Sequence, residues 1–363
     1  MKIHHKKYPS ICFCQRLRFT IFRFVFLGAV LLLGGCATHL TQKNHGMLSR
    51  TEIQKIADEV ANESKKSLNP EGLCVIIANP HTGEILGLTG DAIRSLTEPV
   101  STFKPVAVVA AFEEGKISEE TRIDCEFGAF RNGSRTIKDF IPLGSANPHE
   151  ILAKSNNIGV TKIALLVDDE KFYRYSRRFG FGEKTGISVP GEIPGLLKSP
   201  DQWGAETKAR MAIGQNVAVT PIQIAMAYCA IANGGKLMRP VLGSEKPHRI
   251  RRVCSEKTAN KVKAALKAGI EEGGVVPLAQ FKGLSVAGSP GTAQAVSKKG
   301  GYAPGKYVTK FAGYFPADHP KYVVVVVVDQ ADLPPRLNYG GSVAAPIFAK
   351  IAGKITAISN EHP

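Results

Sequence analysis

Apolar positions along the chain recur with two periods, and the changes from one to the other mark its elements. From Thr51, the residues Ile53, Ile56, Ala57 and Val60 fall at helical spacing with glutamate and lysine opposite, until Leu68-Asn69-Pro70 stops the pattern. Leu73 to Ala78 and Ile85 to Thr89 are strand-like runs around Asn79-Pro80-His81-Thr82-Gly83, a turn sequence, and so predict a β-hairpin. Ser101 opens the next helix, which runs through alanines and valines to a capping Gly115 and, being apolar all round, should be buried. Helical patterns at His149 to Leu166 and Pro221 to Ala232, with Gly/Pro loops such as Gly182 to Gly195, make the middle of the chain a helical insert. Strands return at Leu284 to Ala287 continuing to Gln294, at Thr309 to Phe315, and at Tyr322 to Asp329 with its run of valines; a helix from Ala345 to Ala357 closes the chain. Strands at both ends with helices between and after predict one sheet built from both termini, its outer layers helical.

The first 36 residues depart from this pattern. Lys2, Lys6, Lys7, Arg16, Arg18 and Arg23 come with no acid and precede an apolar run from Phe24 to Leu33. Such a run is in the range of a secretory signal and short of the ~20 residues of a membrane span, an uncleaved anchor being the alternative. It ends in Leu33-Gly34-Gly35-Cys36, which resembles the bacterial lipobox; the resemblance implies cleavage before Cys36 and a lipid on its sulfur. The expected organisation is a lipoprotein signal over 1–35, a lipidated tether over 36–50, a folded domain over 51–358 and a tail over 359–363. The folded domain is then expected in the cell envelope, tethered to a membrane and outside the cytoplasm. Resemblance to lipoprotein sorting, in which aspartate after the cysteine marks retention at the inner membrane, makes Ala37 fit the outer one, and the choice between the two membranes stays open.

The formal charge of +16 falls to +10 once the six bases of the signal leave. The remaining bases form no arm and accompany no RNP-like aromatic run or Cys/His zinc pattern, which excludes nucleic acid as a partner. Anionic envelope polymers or lipid headgroups suit such a surface. Cys12 and Cys14 leave with the signal, so Cys74, Cys125, Cys229 and Cys254 remain beside Cys36. None forms a CxxC pair, and neither a metal site nor a cofactor is expected. Cys74 and Cys229 sit in apolar runs and read as buried thiols, while the disulfide status of Cys125 and Cys254 stays open.

Ser101-Thr102-Phe103-Lys104 is the only S-x-x-K in the chain. On a helix, positions three apart share a face, so Lys104 can reach the Ser101 hydroxyl; a lysine buried among apolar residues can have its pKa lowered enough to act as the base that a serine nucleophile needs. The helix N-terminus adds positive potential for a developing oxyanion. By itself the spacing fits an N-cap serine and a solvated lysine equally well. The flanks decide: Glu98-Pro99-Val100-Ser101-Thr102-Phe103-Lys104-Pro105 closely resembles the nucleophile segment of the class B penicillin-binding proteins. Of three S-x-N triplets, Ser67-Leu68-Asn69 precedes the nucleophile and Asn147 of Ser145-Ala146-Asn147 reads as a helix cap. Ser155-Asn156-Asn157 matches the second motif of that family in position and flanks. Phe179-Gly180-Phe181-Gly182, Pro190-Gly191-Glu192, Gly214 to Pro221 and Asn233-Gly234-Gly235 extend the resemblance over roughly residues 51 to 357.

That resemblance implies an α+β fold, with a five-stranded antiparallel sheet flanked by helices and an all-helical subdomain. It implies Ser101 and Lys104 as the acylating pair, Ser155 as proton relay and Asn157 as the ligand of the substrate amide. The third motif departs from the family. Lys184-Thr185-Gly186 precedes the Gly214 to Pro221 landmark and reads as a loop, and the late strand carries Ser289-Pro290-Gly291-Thr292, with serine and proline in the lysine and threonine positions. The lost lysine would have placed a cation beside the nucleophile, whereas Ser289 offers a neutral hydrogen bond. Pro290 deletes a backbone donor. Gly291 still permits close approach, and the Thr292 N–H is expected to pair with that of Ser101 as the oxyanion hole. Val100 replaces the usual glycine before the nucleophile, which should stiffen that turn. About fifteen residues separate Cys36 from the domain, where class B enzymes usually carry an N-terminal pedestal, so docking through such a pedestal is not expected.

Three functions compete. A D,D-transpeptidase would take an acyl group from D-alanyl-D-alanine stem peptides of peptidoglycan onto Ser101, be acylated by β-lactams, and be slowed by its third motif. A non-catalytic homologue would bind wall peptide or a cell-wall-synthesis protein; Ser289-Pro290 favours it and the intact Ser101, Lys104, Ser155 and Asn157 oppose it. A serine β-lactamase stands third, for want of a base to activate a deacylating water.

Overall fold

Residues 48–361, apart from 272–273 and 298–299, are described by a computed structural model; the predicted signal, Cys36, most of the tether and the end of the tail lie outside the described residues. Helix α1 (Arg50–Leu68) starts at a capping box in which the Ser49 and Glu52 side chains each accept the other's backbone N–H, and it ends on Asn69 at φ 41°. Strands β1 (Gly72–Ala78) and β2 (Ile85–Thr89) follow as the predicted hairpin. The chain closes with β9 (Ala287–Val296), β10 (Tyr302–Phe315), β11 (Tyr322–Asp329) and α9 (Ala344–Glu361). Together the five strands form one antiparallel sheet in the order β2-β1-β11-β10-β9, in which β1 from the start of the chain lies against β11 from its end, Gly72 opposite Asp329 through Ala78 opposite Val323. The expected fold class is the observed one.

The run Val323–Val328 is central and covered on both sides, which is why it reads as continuously apolar rather than alternating. Val324, Val326 and Val328 join Val75, Ile77 and Phe311 in a core under α1 and α9. Val323, Val325 and Val327 join Cys74, Ile76 and Tyr314 in a second core on the opposite face. That second core is covered by α2 (Lys104–Glu113), α7 (Pro221–Ala232) and α8 (Glu256–Ala268).

The helical part also contains α3 (Pro148–Ala153), α4 (Asn157–Leu165), α5 (Asp169–Arg178) and α6 (Thr207–Ala212). Three small ribbons interrupt it: β3 (Ile123–Asp124) with β6 (Ser145–Ala146), β4 (Ala129–Asn132) with β5 (Arg135–Lys138), and β7 (Lys236–Met238) with β8 (Arg249–Arg252). These strands are too short for their period to register in the sequence.

Two expected helices are broken, each for a local reason. His149 to Leu166 divides into α3 and α4 because Ser155 takes φ 49° and the Asn156 side chain accepts the Gly159 N–H at 2.7 Å, restarting the helix. Around Ser101 the chain makes a 3-10 turn, Val100–Phe103, before α2 begins with Pro105 in its first turn, the position where a missing N–H is harmless. β10 starts earlier than its apolar run because its outer half is an exposed hairpin with no buried face to impose alternation. The four described cysteines are free and buried, so Cys125 and Cys254 are unpaired. Among the described residues no helix is long and apolar enough to cross a membrane, and no His/Cys/Asp/Glu group is placed to hold a metal.

Candidate active site

Ser101 stands in its 3-10 turn at the end of a strap, residues 97–100, which is tied down along its length. Thr97 and Val219 exchange backbone hydrogen bonds at 3.0 and 2.9 Å, and the Val100 N–H donates to the Gly214 carbonyl at 3.0 Å. The Glu98 carboxylate accepts from the Asn216 N–H and the Tyr302 hydroxyl, both at 3.2 Å. Gly214 lies so close that an added Cβ would fall 2.1 Å from the Val100 oxygen, which is the physical reason for glycine there. Val100 itself is held at φ 46°, a left-handed conformation that costs a β-branched residue about 1–3 kcal/mol.

Lys104, 1% exposed, lies one turn beyond Ser101. Its amine donates to the Ser155 hydroxyl at 3.0 Å and to the Ser155 carbonyl. Burial takes its pKa down to about 7, with the charge of Asp139 pulling the other way. Near neutrality a large fraction of the amine is therefore unprotonated and able to accept a proton, and desolvation alone brings it there.

The segment 155–157 is oriented by Asp139, which directly follows β5. One carboxylate oxygen accepts the backbone N–H groups of Asn157 and Ile158, and the other accepts the Asn156 side-chain amide at 2.7 Å. A carboxylate at the start of α4 satisfies its unpaired N–H groups and complements its dipole. Burial raises the Asp139 pKa, against the lowering effect of those bonds and of Lys104. Asn157 donates to the Lys138 carbonyl at 2.7 Å and borders a cavity of about 280 Å³ that also touches Arg135, Glu206 and Gln215.

On the other side of Ser101 runs β9, the outermost strand of the sheet, in contact with the nucleophile turn. The Ser289 hydroxyl donates to the carbonyl of Ser101 at 3.4 Å. A Cβ on Gly291 would meet Val100 and Lys310 side-chain carbons at 2.8 Å, so glycine lets these side chains pack against β9. Thr292 is exposed and accepts the Gly340 N–H at 2.9 Å. Ser101, Lys104 and Ser155 thus gather on the α2 side, Ser289 and Gly291 on the sheet side, and Asn157 at the cavity.

The rejected triplets have structural work elsewhere. The Thr185 hydroxyl and N–H and the Gly186 N–H bind the Glu192 carboxylate at 2.5, 2.6 and 3.1 Å in a loop. Asn69 ends α1, and Asn147 caps α3. Sequence reasoning missed Asp139, an isolated acid after a short strand, and the bonds by which Lys310 of β10 holds Thr97 and Glu98. The signal for Lys310 was available: a lysine one residue before Phe311 in a buried strand is out of keeping with its pattern.

Residues 73–353 match the penicillin binding protein transpeptidase domain. A five-stranded antiparallel sheet with a serine and a buried lysine one turn apart at the head of its covering helix is the architecture of the serine acyl-transferring penicillin-binding enzymes, and the chain belongs to the penicillin-binding protein transpeptidase family, with class B proteins as its relatives. It is 30% identical over 348 residues to stage V sporulation protein D of Bacillus subtilis, an alignment covering 83% of this chain and 51% of that protein. It is 29% identical over 332 residues to the peptidoglycan D,D-transpeptidase FtsI of Escherichia coli, covering 86% and 55% respectively. The chain spans about half the length of the curated relatives it matches. Among solved structures, the transpeptidase domain of Burkholderia pseudomallei penicillin-binding protein 3 superposes with a TM-score of 0.80 at 28% identity, over 85% of this chain and 95% of that one. Penicillin binding protein 3 of Mycobacterium tuberculosis, complexed with aztreonam, gives a TM-score of 0.76 at 29% identity, over 85% of this chain and 78% of that one.

Proposed function

We propose that the protein is a serine D,D-transpeptidase of peptidoglycan, slowed by its altered third motif. The observation that carries this reading is the fully buried Lys104 amine, one turn from Ser101 and bonded to Ser155. Neutral Lys104 takes the proton of the Ser101 hydroxyl as its oxygen attacks the penultimate D-alanine carbonyl. The backbone N–H groups of Ser101 and Thr292 stabilise the oxyanion, and Asn157 holds the substrate amide. Ser155 passes the proton to the departing amine nitrogen, so a C–O bond replaces a C–N bond and D-alanine leaves. An acceptor amine on a neighbouring stem peptide then reverses the sequence and frees Ser101. β-Lactams acylate the same hydroxyl.

Ser289 supports the qualification on rate. It gives a neutral hydrogen bond where the family places a cation, and loss of one preorganised electrostatic contact costs ~10² to 10³ in rate, or roughly 3 to 4 kcal/mol. The same residue supports the second reading, a homologue that binds wall peptide or a cell-wall-synthesis partner without turnover. Mass spectrometry after penicillin treatment separates the two. An adduct on Ser101 that is absent from Ser101→Ala is expected; no adduct, or one elsewhere, favours the binding protein. The ordered signal ending at Cys36 supports a lipid anchor in the envelope, with the domain outside the cytoplasm. Fatty-acid labelling lost in Cys36→Ser is the expected result, and an unlabelled wild type would refute it.

A further inference from the structure

Lys310 is a charged residue built into the interior of the sheet. Its neighbours Thr309 and Phe311 face α1 and α9, while Lys310, with Ala312 and Tyr314, faces the α2 side, and it is 0% exposed. Directly across the ladder stands Gly291. The lysine stem occupies the space that glycine leaves, beside the Val100 side chain. Its amine donates to the Thr97 hydroxyl at 2.8 Å and to the Glu98 carbonyl at 2.5 Å. Both acceptors belong to the strap that delivers Ser101, a short step before Val100 turns left-handed.

We infer that Lys310 is a positioning residue for Ser101: it clamps the strap at Thr97 and Glu98 and so holds Val100 in the backbone conformation that aims the nucleophile along β9. The other ties described on the strap come from the 214–219 segment and from Tyr302, and Lys310 fastens it to the sheet beneath Gly291. The clamp does not depend on charge. Burial takes the Lys310 pKa to about 7, against the opposing pull of Glu98 and Asp329, and a neutral amine still has two hydrogens for its two acceptors. Glycine at position 100 would adopt φ 46° without strain, whereas valine must be held there.

The inference rests on acylation of Ser101 for one of its two readouts. The first is a double-mutant cycle on the second-order rate of acylation by a fluorescent penicillin, comparing wild type, Val100→Gly, Lys310→Met and the double variant. With Val100 in place, Lys310→Met should slow acylation about 10- to 100-fold, the scale of a small misplacement of a reacting group. In the Val100→Gly background the same change should cost less than about threefold, because glycine no longer needs holding. Equal slowing in both backgrounds, or none in either, overturns the clamp. Should Lys310→Met fail to fold, Thr97→Val removes one acceptor and leaves the lysine; its milder slowing must again be confined to the chain with Val100, and slowing that persists in the Val100→Gly background is fatal. The second readout is amide exchange at Val100, which Lys310→Met should accelerate and the double variant return to the level of Val100→Gly. An unchanged exchange rate counts against the clamp. If wild type gives no adduct on Ser101, the proposed transpeptidase fails, and the exchange measurement still decides the clamp.

Discussion

Two buried lysines flank Ser101, and electrostatically they are near twins. Lys104 and Lys310 are 1% and 0% exposed, and burial brings each to about 7. They differ in what they face. The Lys104 amine meets the hydroxyl and the carbonyl of Ser155, the residue proposed above as proton relay. Lys310 meets the Glu98 carbonyl and the Thr97 hydroxyl, and that hydroxyl points back to the same carbonyl at 3.4 Å. Lys104 is thus tied to the segment that leads to Asn157, and Lys310 to the strap that leads to Ser101. Desolvation makes either amine available as a base, and the segment each one is bonded to separates their proposed roles.

The sharpest test of the contrast is Lys104→Met. Loss of a general base lowers rates by ~10² to 10⁴, so penicillin acylation should fall by that factor with the fold retained by circular dichroism. A loss no larger than that of Lys310→Met would erase the distinction. The double change Ser289→Lys with Pro290→Thr restores a cation, a hydroxyl and a strand donor on the sheet side, and should raise the acylation rate by about 10² to 10³. No gain would mean that the sheet side works without a cation. Asp139→Asn is a finer probe of the α2 side. Acylation should rise with pH around a midpoint near 7, because the neutral form of Lys104 is the proposed base. The Asp139 charge holds that pKa up, so its removal should move the midpoint to lower pH, with a stability loss of about 1–2 kcal/mol from weaker bonding to Asn157 and Ile158. A midpoint that stays in place would detach Asp139 from Lys104.

Much of this architecture is legible in the sequence. Buried strands declare themselves, as Val323–Val328 does, because a doubly covered strand must be apolar throughout, and the hairpin turn at Asn79 to Gly83 uses residues chosen for their backbone conformations. Ser101 and Lys104 can be singled out because their spacing is local, and Ser155 because its flanks resemble a family motif. Lys310 stands out in its apolar strand, but its partners and those of Asp139 do not, since no local spacing encodes a bond from β10 to Glu98 or from Asp139 to the start of α4. Val100 is partly legible: the departure from glycine is visible, and the left-handed turn that it must occupy is not.

The pairing of β1 with β11 has a temporal meaning. The serine and its lysine are among the early parts of the domain to be synthesised, yet the hairpin that precedes them has no second neighbour until Val323–Val328 has been made. A two-stranded hairpin is marginal in water, and contacts between distant parts of a chain form late. A product cut short before β11 would therefore carry the α2-side groups and the β9–β10 hairpin with no central strand to join that hairpin to β1. The five-stranded sheet is thus complete only when its central strand, the last to be made, has joined the hairpins from the two ends of the domain.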